Sequence, residues 1–197
     1  SQLLVIGYVL VFLFRSDNPL VVSVVILIMV TVASWIALRP LGSERPRLYW
    51  ASVAAITVGG LPVLILATQV VININPWYEP RYLIPLAGMI FANTMNSVSI
   101  SAERYHAELG AGHEPVQARQ QAFQAAMNPL INSLLAVGLV SLPGMMTGQV
   151  LSGVSPLIAA RYQILVMCML FGASGIGTAF FLYWAQRLAL LLPKPAD

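Results

Sequence analysis

Of 197 residues, 58% are hydrophobic and 9% charged, with a mean hydropathy of +0.81, against roughly 25% charged residues in an ordinary soluble domain. The composition excludes a soluble domain and implies an integral membrane protein. The net charge of +3 requires no nucleic-acid partner, since topology and anionic lipid headgroups account for it.

Long apolar runs without short-strand alternation argue against an outer-membrane barrel and predict an all-α, polytopic helical bundle. Six segments follow in chain order. The first, Ser1 to Phe14, is shorter than the roughly 20 residues a span needs. It is already apolar at Leu3 and lacks an initiator methionine, so the sequence is expected to begin partway through a truncated helix. Neither a basic n-region nor a small-residue cleavage site marks a signal peptide. The others run from about Pro19 to Leu38, Leu48 to Ile72, Tyr82 to Ser101, Asn128 to Leu151 and Tyr162 to Leu192.

Arg39, Arg45, Arg47, Arg104, Arg119, Arg187 and Lys194 fall on one side of these segments, and only Arg15, Arg81 and Arg161 on the other. The positive-inside tendency makes the first side cytoplasmic, together with the loop 102–127 and the C-terminus. That loop is the one long polar connection in a single transmembrane domain over 1–197. Its Ala- and Gln-rich second half predicts a helix that breaks at Gly110 to Pro115 and restarts. Trp35, Trp50, Trp77, Tyr82, Tyr162 and Trp184 stand near segment ends, as membrane-anchoring aromatics do.

In the fourth segment, Met89, Asn93, Asn96 and Ser97 share one helical face. A polar stripe at that depth either glues helices by interhelical hydrogen bonds or lines a hydrated pathway. In the fifth, Asn128 before Pro129 reads as an N-cap with proline at the first helical position. Asn132 and Ser133 lie further in and suit a pathway. Pro143 and Gly144 predict a kink or break near Ser141 to Gly144, a hinge. Such breaks are tolerated in lipid where protein or a water-filled cavity receives the freed carbonyls. Met145 and Met146 beside it serve either as packing or as soft metal ligands.

In the last segment, Gln163 and Met167 share a face near Cys168 and Met169. The small residues Gly172, Ser174, Gly175 and Gly177 predict close helix packing, within the chain or between subunits. Cys168 stands alone and forms no intrachain disulfide. His106, Glu108, His113 and Glu114 in the long loop form either a solvated polar surface or a metal-sensing cluster without recognised ligand spacing. Hydrolase motifs are missing, and no phosphate-binding G-x-x-x-x-G-K-[ST] loop is present, so no catalytic residue and no bound cofactor is expected on this chain.

The stretches "IPLAGMI" (Ile84 to Ile90), "NTMNSVS" (Asn93 to Ser99), "PLINSL" (Pro129 to Leu134), "VGLVSLPGMMTGQVLSG" (Val137 to Gly153) and "RYQILVM" (Arg161 to Met167) resemble the permease family of bacterial iron-export ABC transporters, which has plant relatives linked to aluminium tolerance. The resemblance covers nearly the whole chain. It implies a homodimeric permease in the bacterial inner membrane, surrounded by membrane lipid, working with a cytoplasmic ABC ATPase that carries ATP and Mg. The cargo it implies is a metal ion, iron first among them, leaving the cytosol. Family members commonly have a further N-terminal span, a longer cytoplasmic helix before a Leu-Gly-Ala turn, and Ile-Pro-Thr where Asn128, Pro129 and Leu130 stand here.

On this reading Asn93, Asn96, Ser97, Asn132, Ser141, Met145 and Met146 line the pathway, with Met145 and Met146 as metal ligands. Pro143 and Gly144 form the hinge, and Leu109, Gly110 and Ala111 couple to the ATPase. A non-transporting membrane scaffold and an ATP-independent channel are the alternatives.

Overall fold

A computed structural model describes residues 7, 8, 10, 13, 14 and 18–190. Among these, every regular element is helical: α1 (Pro19–Ala37), a 3-10 turn (Arg39–Glu44), α2 (Arg45–Ile65) continued by a π-helical stretch (Leu66–Val71), α3 (Pro80–Gly110), α4 (Pro115–Ala136), α5 (Gly144–Leu151) and α6 (Pro156–Leu190). The first predicted segment lies largely outside the described residues, as do Lys194 and the end of the last segment.

Proline sets most of the starts. Pro19, Pro46, Pro80, Pro115 and Pro156 each stand in the first turn of a helix, where the missing N–H has no intrahelical partner to lose. Asn18 completes the first start by accepting from the Leu20 N–H at 2.9 Å. Four stretches are long and apolar enough to cross a bilayer: Pro19–Ala37, Arg39–Val71, Pro80–Gly110 and Pro156–Leu188. The chain is thus an all-α polytopic membrane protein.

The centre of the bundle is a junction of α2, α3 and α6 built on missing side chains. A β-carbon added to Gly59 would stand 2.5 Å from the Ala173 carbonyl oxygen, and one on Gly177 would stand 2.6 Å from Thr94 Cγ2 and 3.1 Å from the Ala55 carbonyl oxygen. The predicted close packing by the last segment is therefore realised within the chain, by Gly177 and the buried Ala173 and Ser174. Gly172 has open space where a side chain would go. Three buried hydroxyls bond their own helices, Ser34 to Val30 O at 2.7 Å, Thr68 to Leu64 O at 2.8 Å and Thr94 to Ile90 O at 2.9 Å, while Ser52 donates across helices to Ser34 O at 3.2 Å. A bond within the helix satisfies a buried hydroxyl in an apolar surrounding without a partner helix.

Three helices run through an internal proline: Pro62 in α2, Pro85 in α3 and Pro129 in α4. The last corrects the expectation that Asn128 caps a helix starting at Pro129. Instead α4 starts at Pro115, and its pairing with α3 and α6 carries it through Pro129, which costs one donor rather than the helix. The fifth span is accordingly discontinuous. Its first part is the apolar end of α4, which stops at Ala136. Residues 137–143 are non-helical, with Gly138 at φ 80°. The eight-residue α5 then follows.

Candidate functional site

The antiparallel pair α3 and α4 positions the site. Its elbow is a Schellman turn: the Gly112 N–H donates to Leu109 O and the His113 N–H to Glu108 O, each at 3.1 Å, with Gly112 at φ 84°. Glycine at that position accepts the left-handed conformation that stops the helix.

Side chains lock the same turn. The Glu108 carboxylate, whose side chain is only 6% exposed, receives Arg104 from its own helix and His113 Nδ1 at 2.7 Å. The Gln121 amide, with its nitrogen turned toward the carboxylate, donates to both Glu108 oxygens at 2.8 and 3.0 Å. The loop cluster proposed from sequence is thereby divided. Glu108 and His113 form a structural clamp, while His106 and Glu114 are exposed. No group of three His, Cys, Asp or Glu side chains able to hold a metal exists among the described residues. Leu109 is half-buried, and Gly110 and Ala111 form the exposed tip of the elbow.

Further along the pair, toward the membrane centre, α3 and α4 part to leave a recess of about 380 Å³. Its polar wall consists of Asn93, Asn96, Ser97, Ser99 and Ser133, and its apolar wall of Ile100, Ala126, Pro129 and Leu130. Every polar group there is neutral and presents an oxygen. Asn93 is half-buried, Asn96 exposed and Ser97 buried. Asn93 Nδ2 donates to Met89 O of its own helix at 2.9 Å, which leaves its amide oxygen directed away from that bond. The interhelical gluing weighed for Asn93 is thus not the bond it makes. Pro129 also frees the Ala125 carbonyl, four residues earlier, from its helical partner.

Sequence reasoning anticipated the stripe on α3 and Ser133 on α4, and the recess brings these together. Asn132 is exposed beside the recess but outside its lining, and Ser141 is exposed on the interrupting loop. Met145 and Met146 are half-buried on the first turn of α5 and also outside the recess, Met145 packing against the core. Pro143 accepts, through its carbonyl, the Thr147 N–H at 2.9 Å and hydroxyl at 3.0 Å, which anchors the start of α5. The expected break near Ser141 to Gly144 is present and begins earlier, at Val137. Gln163 and Met169 are buried on α6, Met167 is half-buried and Cys168 is exposed.

Register between α3 and α4 fixes the depth of the break. Gln121 meets Glu108 and Ser133 shares a recess with Asn93, so Ala136 comes opposite the turn Ile90 to Asn93, ~15–20 Å short of the start of α3 at 1.5 Å per residue. The backbone interruption therefore begins where the polar recess ends, on the side away from the elbow. A model of the uncharacterised protein family UPF0014 matches residues 1–190.

The chain belongs to the UPF0014 family. A UPF0014 membrane protein of Synechocystis is 40% identical over 90% of this chain and 74% of its own length. The Arabidopsis thaliana protein ALUMINUM SENSITIVE 3 is 33% identical over 93% of this chain and 72% of its own length. The probable iron export permease protein FetB of Escherichia coli is 32% identical over 94% of this chain and 76% of its own length. No solved structure matches this UPF0014 chain.

Proposed function

We propose that the protein is the membrane-spanning permease subunit of an ABC transporter that exports metal ions, iron first among them, from the bacterial cytosol across the inner membrane. The observation that carries this reading is the adjacency of an interrupted segment, α4 to α5, and a neutral, oxygen-lined recess that ends where the interruption begins. Discontinuous helices beside polar cavities near the membrane centre are the way transporters form ion sites. Likeness to a relative named as a probable iron export permease supports both the cargo and its direction.

In this mechanism a hydrated cation exchanges part of its water shell for the amide and hydroxyl oxygens of Asn93, Asn96, Ser97 and Ser133. Asn132 and Ser141 extend the route toward the break, and Met145 and Met146 offer thioethers at its far side. The α2, α3 and α6 junction is the static body, and the break at 137–143, with Pro143 and Gly144, lets α5 and the end of α4 move against it. Energy comes from a separate cytoplasmic ATPase, which holds ATP and Mg and pushes on the elbow tip at Leu109, Gly110 and Ala111. Two copies of the chain form the pathway, with their C-termini in the cytosol. The test is ATP hydrolysis by the permease reconstituted with its ATPase: iron stimulates it under this reading, and a flat response across iron, cobalt, nickel and zinc contradicts it.

A further inference from the structure

A second cavity, larger than the recess, lies elsewhere. A groove of about 590 Å³ separates the first turns of α4 from the last turns of α6. Its apolar part is Phe123, Ala179 and the buried Leu182, and its polar part is Arg119, Gln124 and Tyr183. Arg119 Nη1 donates to Gln186 Oε1 at 2.8 Å. No ion pair among the described residues includes Arg119, so a neutral amide orients its charge without neutralising it. A second guanidinium, Arg187, lies over the Tyr183 ring at 4.7 Å from its centroid, on the same edge of the groove.

Depth selects the ligand. Gln121 lies beside Glu108 and Ser133 beside Asn93, which puts Arg119 past Ser101, where the apolar run of α3 ends, at headgroup level. Phe123 and Gln124 lie between Arg119 and that boundary, and the remaining turns of α4 run beside the apolar part of α3. The groove thus has a cation at its headgroup end and an apolar slot leading into the bilayer, on the side that carries the excess of arginine. We infer that it is a binding site for an anionic phospholipid, with the phosphate on Arg119, the headgroup flanked by Gln124 and Tyr183, and an acyl chain along Phe123, Ala179 and Leu182. Uncompensated charge at the interface attracts such lipids, and amphipathic linings match their two halves.

The site stands independently of what the permease transports. Its test is native mass spectrometry of the intact protein in detergent, titrated with phosphatidylglycerol or with phosphatidylcholine. Wild type is expected to retain phosphatidylglycerol with at least about a fivefold preference, the effect of one interfacial arginine. R119Q abolishes the preference, and Ala179→Trp, which fills the slot and keeps the charge, reduces retention of both lipids. Equal retention of the two lipids by wild type overturns the assignment and needs no variant to fold. So does an unchanged preference in R119Q, or a disulfide between two copies through Ala179→Cys, since protein then covers the groove.

Discussion

Glu108 on α3 accepts from His113 Nδ1 at 2.7 Å across the turn that sends the chain back as α4, and the Glu108 backbone carbonyl accepts the His113 N–H at 3.1 Å. One residue pair thus closes the elbow twice, through side chain and main chain. Glu108→Ala leaves Arg104, His113 and Gln121 without their common acceptor. Arg104 and His113 are about half exposed, so water compensates in part, and the expected loss is about 1–2 kcal/mol of local stability. Hydrogen exchange over 109–114 reads it: protection falls in Glu108→Ala and in Gly112→Ala, which forces φ 84° on a residue with a side chain. Unchanged protection in both would show that the clamp contributes nothing.

The α2 to α6 contact predicts an asymmetry among glycines. Gly59→Ala places a β-carbon 2.5 Å from backbone, where no rotamer change relieves it, and costs about 2–3 kcal/mol or prevents folding. Gly172→Ala meets nothing within 4 Å and changes stability by less than about 1 kcal/mol, with a sign favouring the helix. Thermal unfolding in detergent, followed by tryptophan fluorescence, ranks the two.

In the recess, Asn96→Ala removes an exposed amide that packs no core, so thermal stability stays within about 0.5 kcal/mol of wild type. If the amide oxygen takes part in cargo binding, metal-stimulated ATP hydrolysis by the complex falls about tenfold or more. Loss of stability with preserved stimulation would instead assign Asn96 to packing.

Orientation is checked in a Cys168→Ser background. Glu114→Cys at the elbow reacts with a membrane-impermeant maleimide only from the cytosolic side, and Ser155→Cys, between α5 and α6, only from the other. The reverse pattern would place the elbow out of reach of any cytoplasmic ATPase.

Hydropathy alone located the four long apolar helices, because an apolar run in lipid has little choice but to be helical. The polar stripe on α3 was equally plain, since Asn93, Asn96 and Ser97 repeat at helical spacing. Pro143 and Gly144 announced the interruption, although Gly138 at φ 80° moved its beginning upstream. What local sequence could not supply were contacts between distant residues. The Asn128 and Pro129 pair carries a good start signal, and only the packing of α4 against its neighbours overrides it. Glu108, His113 and Gln121 become a clamp only once the elbow folds, and the Arg119 groove exists only because α4 and α6 lie side by side.

The most direct measurement of the transport reading is the reactivity of Ser133→Cys and Asn96→Cys toward a small hydrophilic thiosulfonate in membranes, with and without ferrous iron. A water-accessible route predicts fast modification at both positions and protection by the ion, with Val98→Cys, buried on the same helix, left unmodified. Cysteines at 96 and 133 as inert as the one at 98 would mean that the space between α3 and α4 is sealed from water, and that no cargo passes there.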